Sequence, residues 1–209
     1  MEWAQKYLKQ DFSYVLFTDE TRASLDGPDN WQKSWVLLNE QRPVKYIRQK
    51  QGGSIMIWAG IIDNKIIGPF RVPDGVKLTS NTYIEFLREN FLPFFNSIPK
   101  EKKRKFVLMQ DNAPSHAAKK TKVFLINLGI NLMSWPPNSP DLNPIENLWS
   151  LLKSHLYKNG KKYRNKNELW EEIQRFCEKI DGNIIKNLTE SVNRRLFQLV
   201  LNKGGYVNY

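Results

Sequence analysis

Three acidic residues stand at the edges of apolar segments, and their types suit the binding of divalent metal ions. Asp19 ends a β-prone run that begins at Tyr14. Asp111 follows the apolar run 106–109, and Glu146 opens an amphipathic run. Carboxylate oxygens are the ligands that Mg²⁺ and Mn²⁺ prefer. Two such ions can activate a nucleophile and stabilise a leaving oxygen, so the three acids predict a two-metal phosphoryl-transfer site.

Two of these acids also have simple structural interpretations. Asp19 could be an ordinary strand-end acid, and Glu20 or Asp26 could be mistaken for the functional residue. Asp111 lies in the sequence Asp-Asn-Ala-Pro, which suits a turn before a helix. The metal site is favoured because three independent coincidences would otherwise be needed.

Glu146 has the strongest structural alternative, which is a capping box. Asn143 can serve as the N-cap, Pro144 as the first helical residue and Glu146 as the third. A Glu146 side chain bonded to the backbone of Asn143 would not be free to bind metal. The position of this side chain therefore separates the two interpretations.

Two neighbours of Asp111 are candidates for supporting the site. Asn112 follows it directly, and His116 comes five residues later, in the first turn of a predicted helix. His116 could contact a phosphate or help to order the site, or it could be a surface histidine. A protein general base is not strictly required when a metal ion lowers the pKa of water.

Composition excludes several other classes of protein and site. With two histidines and one cysteine in 209 residues, a zinc site of the His/Cys type is nearly excluded. Cys177 has no partner for an intramolecular disulfide, which fits a reducing intracellular compartment. The longest apolar run, 55–62, is too short to span a bilayer, and no signal peptide is visible at the start of the chain.

The charge of the chain favours a polyanionic partner. Lys and Arg outnumber Asp and Glu, which gives a formal net charge of +11. Such an excess is typical of proteins that bind nucleic acid, although a basic protein need not do so. Seven basic residues are candidates for contacts with the DNA backbone: Arg42, Lys45, Arg48, Lys119, Lys120, Lys122 and Lys153.

The elements that must position the acids are predicted in the order β-β-β-α-β-α-β-α. Strands are predicted at 13–18, 54–62, 65–72, 106–109 and 130–133, and helices at 80–95, 114–128 and 144–156. Residues 22–26 could continue the first strand or pair with it. Pro93 predicts a kink or stop in the first of these helices. Two further amphipathic helices are expected near 169–177 and 185–196.

This order predicts an α/β fold with a mixed five-stranded sheet flanked by helices. Short turns make the first three strands antiparallel. The first and fourth strands can lie side by side, so Asp19 and Asp111 would meet at adjacent strand ends. A helix packed over that edge would bring Glu146 to the same point.

Several sequence blocks together resemble the mariner superfamily of DNA transposases. They are FTDET around Asp19, GGSIMIWAGI, QDNAPSH, SPDLNPIENLW, and the closing SVNRRL and KGGYVNY. The spacing is similar to that of the branch whose third acid is Glu, since 34 residues (112–145) separate Asp111 from Glu146. The joint set of blocks is specific and extends over nearly the whole chain.

The resemblance implies a ribonuclease H-like fold and a DDE-type cut-and-paste transposase, an endonuclease that also performs strand transfer. It implies Asp19, Asp111 and Glu146 as catalytic ligands of two Mg²⁺ ions, with Mn²⁺ able to substitute. The expected partners are transposon ends, target DNA and a second copy of the chain, with the nucleus as the location.

The resemblance also suggests how the chain is divided. Residues 1–12 would be a linker remnant, 13–160 the ribonuclease H-like catalytic domain and 161–209 a C-terminal helical extension. Residues 27–52 would form an insertion for dimer or DNA contact. The alternative function is a non-catalytic or weakened DNA-binding or dimerisation module, because the N-terminal DNA-recognition domains of the family are not seen.

Overall fold

A computed structural model describes residues 2–27 and 53–205. Most of the predicted insertion at 27–52, with Arg42, Lys45 and Arg48, lies outside the described residues. The prediction that these three residues contact DNA therefore stays a prediction.

A mixed five-stranded sheet forms the centre of the fold, as predicted. The strands are β1 (Val15–Ser24), β2 (Ser54–Ile62), β3 (Lys65–Val72), β4 (Val107–Met109) and β5 (Asn131–Leu132). Their order across the sheet is β3-β2-β1-β4-β5. The first three strands pair antiparallel, while β4 is parallel to both β1 and β5. The adjacency of the first and fourth strands is confirmed.

Helices cover both faces of this sheet. Within the described ranges they are α1 (Glu2–Tyr7), α2 (Ser80–Phe86), α3 (Leu92–Ser97), α4 (Lys100–Lys103), α5 (Pro114–Ala117), α6 (Lys119–Asn127), α7 (Ile145–Leu156), α8 (Lys166–Lys179) and α9 (Gly182–Leu201). A search of the same ranges finds no helix with the length and apolar character needed to cross a membrane.

The first strand continues past residue 18 to Ser24, the first of the two alternatives for the residues that follow it, so Asp19 lies within the strand and not at its end. β1 continues five residues past Asp19 because β2 pairs with it over that length, with Asp19 opposite Ala59 and Ser24 opposite Ser54. Because the run after Asp19 is polar, the sequence alone does not decide between continuation and pairing. The backbone of this run is satisfied by a strand that is distant along the chain, and local pattern does not reveal such a partner.

The other side of β1 loses its neighbouring strand just before Asp19. The last residue of β1 paired with β4 is Phe17, opposite Met109. Beyond it, the Asn143 amide donates to the Thr18 carbonyl at 3.3 Å. The Tyr157 hydroxyl accepts from the N–H of Ser24 at 2.9 Å and donates to its carbonyl at 2.8 Å. Side chains thus cover backbone groups that β4 does not reach.

The two faces of the sheet have separate cores. One core joins Trp58 and Leu108 of the sheet to aromatic residues of the α2–α3 region, such as Phe91. The other joins Phe17 and Ile57 to α7, α8 and α9, and it also includes Ala4 of α1. The two C-terminal helices therefore bury their apolar faces against the same sheet that carries Asp19.

The helix predicted at 80–95 is interrupted before Pro93. A π-helical turn, Leu87–Phe91, separates α2 from α3. Pro93 has no amide hydrogen and crowds the carbonyl four residues earlier, and a wider turn relieves both problems. The Asn90 side chain also donates to the Phe86 carbonyl at 2.9 Å within this turn.

The helix predicted at 114–128 is in fact two helices, and the prediction of one continuous helix is wrong. Ala118 adopts an extended ψ of 134° and separates α5 from α6. The Thr121 hydroxyl stabilises the break by donating to the Ser115 carbonyl at 2.6 Å. Alanine is a strong helix former, so the sequence carries no local signal for this break.

Candidate active site

The register of the sheet places Asp19 and Asp111 at the same edge. Phe17 pairs with Met109, and each aspartate lies two residues beyond its member of that pair. Parallel neighbours carry equivalent positions side by side, so the two carboxylates leave the paired region together. The Thr18 hydroxyl fixes this junction by donating to the Met109 carbonyl at 2.7 Å.

Asp19 is an acid in an unfavourable electrostatic environment. Burial, followed by the charges of Glu146 and Glu20, raises its pKa to about 7. One side-chain hydrogen bond opposes this shift, since the indole N–H of Trp149 donates to Asp19 Oδ2 at 3.0 Å. A site that holds acids together against their repulsion is suited to a cation.

The ionised form of Asp111, in contrast to that of Asp19, is stabilised by its hydrogen-bond partners. The Ala113 backbone N–H donates to its Oδ1 at 2.9 Å, and the same oxygen lies 2.6 Å from His116 Nδ1. The hydrogen bond from His116 is the main cause that lowers the pKa of Asp111. No described residue hydrogen-bonds Oδ2, which leaves this oxygen available to a further ligand.

His116 is a buried residue that joins two acids, and it is not a surface histidine. Its side chain is 4% exposed, and Nε2 lies 3.5 Å from Glu20 Oε1. At that distance the contact with Glu20 is an ion pair more than a hydrogen bond. Burial alone would lower the pKa of His116, but the contacts with Asp111 and Glu20 outweigh burial and raise the pKa to about 9.

Glu146 is not used as a capping residue. α7 begins at Ile145, and the Asn143 backbone N–H donates to the Pro140 carbonyl at 2.9 Å. No described residue hydrogen-bonds the Glu146 carboxylate, and burial raises its pKa while Lys153 opposes the shift. The capping-box interpretation is therefore wrong for the side chain of Glu146, which leaves the carboxylate free for another role.

All three acids line one cleft of about 440 Å³. Asn112 also lines it and donates to the Trp135 carbonyl at 2.9 Å, and the proline-rich segment 136–140 contributes to the lining. Over residues 2–27 and 53–205, no three His, Cys, Asp or Glu side chains already form a compact set of metal ligands. The carboxylates share a cleft and fit hard divalent ions by type, but they would have to move closer to hold one.

The predicted DNA-contact lysines fall into two groups. Lys153 lies on α7 and is close enough to lower the pKa of Glu146. Lys119, Lys120 and Lys122 lie on α6 outside the cleft, and Lys120 donates to the Asn81 side chain. The structure thus brings Lys153 to the acids and keeps the other three apart from them.

Two site residues were not identified from sequence. The sequence pattern presents Glu20 only as a residue that could be mistaken for Asp19, and it assigns no role in the site to Trp149. Adjacent strand residues point to opposite faces, so Asp19 meets Trp149 on one face while Glu20 meets His116 on the other. A full-length β1 in the prediction would have shown this division.

Comparison with known proteins identifies the family. The model for the DDE superfamily endonuclease family matches residues 14–170. Tc3 transposase of Caenorhabditis elegans is 32% identical over 209 residues, which cover 100% of this chain and 62% of that protein. Tcb2 transposase of Caenorhabditis briggsae is 30% identical, over 99% of this chain and 76% of that protein. The chain thus spans 62% of the length of Tc3 transposase.

Solved structures share the fold. The Mos1 strand transfer complex superimposes with a TM-score of 0.85 at 17% identity, covering 99% of this chain and 61% of that chain. The catalytic domain of Mos1 mariner transposase gives a TM-score of 0.74 at 16% identity, covering 98% of this chain and 90% of that chain. These similarities confirm the predicted ribonuclease H-like fold. The family match over 14–170 and the aligned relatives show that the chain belongs to the DDE superfamily endonucleases and is related to the Tc3 and Tcb2 transposases.

Proposed function

We propose that this chain cleaves and joins DNA in a reaction that depends on divalent metal ions, with Asp19, Asp111 and Glu146 as the catalytic metal ligands. The observation that carries the proposal is the convergence of these carboxylates, from three different elements, on one cleft. The raised pKa of Asp19, at about 7, supports a need for positive charge beside this carboxylate.

Two Mg²⁺ ions, or Mn²⁺ in their place, would lower the pKa of an attacking water or 3′-hydroxyl and stabilise the leaving oxygen. The chain would orient these ligands through hydrogen bonds. Trp149 orients Asp19, while Ala113 and His116 hold one oxygen of Asp111 and leave the other open. Glu146 enters from the first turn of α7, with its carboxylate free of hydrogen bonds to described residues.

Related proteins support the choice of metal. Solved Mos1 structures include a paired end complex with Mn and a catalytic domain with Raltegravir and Mg. We extend divalent-metal dependence to this chain because its acids lie at one edge of the same fold. The number of ions, two, rests on the chemistry of phosphoryl transfer.

DNA is the proposed substrate, as transposon end and as target. The relatives are transposases, one of the Mos1 structures is a paired-end complex with the left transposon end, and the chain has a net charge of +11. A second copy of the chain would complete such a complex, with 27–52 as a proposed dimer or DNA contact. The nucleus is the proposed location because the substrate would be chromosomal DNA.

Incubation with supercoiled plasmid and with pre-nicked duplex, in Mg²⁺ or Mn²⁺, tests the proposal. We expect metal-dependent cleavage by the wild type. The cleavage rate should fall at least about 100-fold in Asp111→Asn and in Glu146→Gln. Loss of a metal ligand should cost more than loss of a residue that only hydrogen-bonds a ligand, which typically costs about 10–100-fold.

Glu85→Gln is the matched control, since Glu85 is an exposed acid on α2 outside the cleft, and its activity should equal that of the wild type. Equal activity in all four proteins would contradict the assigned site. DNA binding without cleavage by any of them would favour a non-catalytic DNA-binding or dimerisation module.

A further inference from the structure

The helix α9 carries a buried arginine that reaches across to the start of α7. Arg195 is 2% exposed. Its Nη1 donates to the Asp141 carbonyl at 2.8 Å, its Nη2 to Asn147 Oδ1 at 2.6 Å, and its Nε to Ser191 Oγ at 3.0 Å. A buried guanidinium is tolerated only when its donors are satisfied, so this geometry is specified and not incidental.

Two of these acceptors lie on either side of Glu146. Asp141 belongs to the 3₁₀ turn Pro140–Leu142, just before α7, and Asn147 directly follows Glu146. Between them, the Asn143 side chain donates to the Thr18 carbonyl of β1 at 3.3 Å. The segment that carries Glu146 is thus tied to β1 on one side and to α9 on the other.

We propose that Arg195 is a positioning residue that fixes the start of α7, so that Glu146 faces the cleft shared with Asp19 and Asp111. This inference rests on the proposed function, since it assumes that Glu146 binds metal. It makes α9 a part of the catalytic unit, although Arg195 lies beyond residues 14–170, where the family model matches.

The shape of the guanidinium supports positioning over simple packing. A planar fork can donate to two acceptors six residues apart in sequence and so fix their spacing. An apolar side chain could fill the same volume, but it would leave the Asn147 amide and the Asp141 carbonyl without these donors. The outer partners of metal ligands commonly act by orientation in this way.

Binding of Mn²⁺ to the 209-residue chain tests the inference, measured by calorimetric titration well below the unfolding temperature of each variant. Arg195→Met should weaken Mn²⁺ binding about tenfold, the lower end of the range for outer-shell partners. Arg194→Met is the matched control. Arg194 is the exposed neighbour on the same helix, so the change in net charge is identical, and we expect wild-type affinity.

Asn147→Ala provides a milder variant if Arg195→Met does not fold. It removes one acceptor of Arg195 and keeps the buried arginine bonded to Asp141 and Ser191. We expect Mn²⁺ binding about threefold weaker, below the full outer-shell effect. Wild-type affinity in this variant would overturn the inference.

A double-mutant cycle with Glu146→Gln distinguishes an effect of Arg195 on the position of Glu146 from a general destabilisation of the fold. If Arg195 acts through Glu146, then Arg195→Met should cause no further loss of Mn²⁺ affinity in the Glu146→Gln background. The same loss in both backgrounds would overturn the inference.

The cycle also distinguishes the two proposals. If Glu146→Gln alone binds Mn²⁺ as tightly as the wild type does, the metal role of Glu146 fails, and with it the proposed function. If Glu146→Gln weakens binding while Arg195→Met does not, only the role of Arg195 fails.

Discussion

Asp19 and Asp111 occupy equivalent places in the sheet, yet they are held in opposite electrostatic states. Each lies two residues beyond the last pair that joins β1 and β4. Burial and the neighbouring acids raise the pKa of Asp19 to about 7. The hydrogen bond from His116, helped by the Ala113 N–H, lowers the pKa of Asp111. One carboxylate lacks a positive partner and the other already has one.

The difference shows that the need for cationic charge is concentrated at Asp19. The ionised form of Asp19 is destabilised in the fold without a cation, whereas the ionised form of Asp111 is stabilised by the protein itself. A bound ion would therefore gain most of its electrostatic advantage at Asp19, and Asp111 would serve chiefly as an orienting ligand.

The largest effect is expected from Asp19→Asn. Because the folded-state pKa lies above the ordinary value of 3.8, ionised Asp19 destabilises the fold increasingly as the pH rises from about 4 to about 7. Without metal, the free energy of unfolding at pH 8 should rise by about 1–3 kcal/mol in the variant, with little change at pH 4. Urea unfolding at pH 4 and pH 8 measures this change in the free energy of unfolding. The variant should also lose metal-dependent DNA cleavage.

Asp111→Asn is the matched comparison, and its stability should change in the opposite direction. The lowered pKa means that ionised Asp111 stabilises the fold above its ordinary pKa, so the variant should be less stable than the wild type at pH 8. A change of the same sign in both variants would remove the contrast between the two aspartates.

A smaller effect is expected from His116→Gln. The folded-state pKa of about 9 exceeds the ordinary 6.5, so protonated His116 stabilises the fold fully below pH 6.5, and the contribution is lost as the pH rises through 9. Thermal unfolding should show a decline of about 1–2 kcal/mol across this window in the wild type. His116→Gln should not show this decline in the free energy of unfolding. If the variant loses stability with rising pH as steeply as the wild type does, His116 does not form the ion pair with Asp111.

The smallest effect is expected from Lys153→Gln, which extends the comparison to the third acid. Lys153 lowers the pKa of Glu146, which places its charge near the cleft, and its contact with DNA stays a prediction. We expect Lys153→Gln to bind DNA a few-fold more weakly. The slope of the logarithm of the binding constant against the logarithm of the salt concentration should become smaller in magnitude by about one. Fluorescence anisotropy at several salt concentrations measures this, and Lys179→Gln, at the far end of α8, should match the wild type.

The sequence predicts the fold well where neighbouring elements are close along the chain. β2 and β3 form a hairpin with a short turn, and their bounds at 54–62 and 65–72 are as predicted. The extent of β1 stays undecided in the sequence because the second half of the strand is polar and depends on β2 for its backbone partners. The break at Ala118 carries no breaking residue, and the side-chain hydrogen bond from Thr121 to the Ser115 carbonyl that accompanies it has no distinctive sequence signal.

The candidate site is predictable in its ligands but not in its supports. The sequence shows the spacing of Asp111 and Glu146, and in the structure both residues line one cleft with Asp19. Their metal-binding roles, and Glu146 as the third acid, stay predictions. The contacts of Glu20, Trp149 and Arg195 join residues that are distant along the chain, and no local pattern encodes them.

The side chains that cover the free edge of β1 have a consequence for solubility. Opening the sheet beside Asp19 leaves a strand without its neighbour, and such an edge is a template for pairing with another molecule and for aggregation. Asn143 occupies the Thr18 carbonyl, and Tyr157 occupies both backbone groups of Ser24. With these backbone groups occupied at both ends of the unpaired part of β1, fewer of them remain to pair with a strand of another molecule.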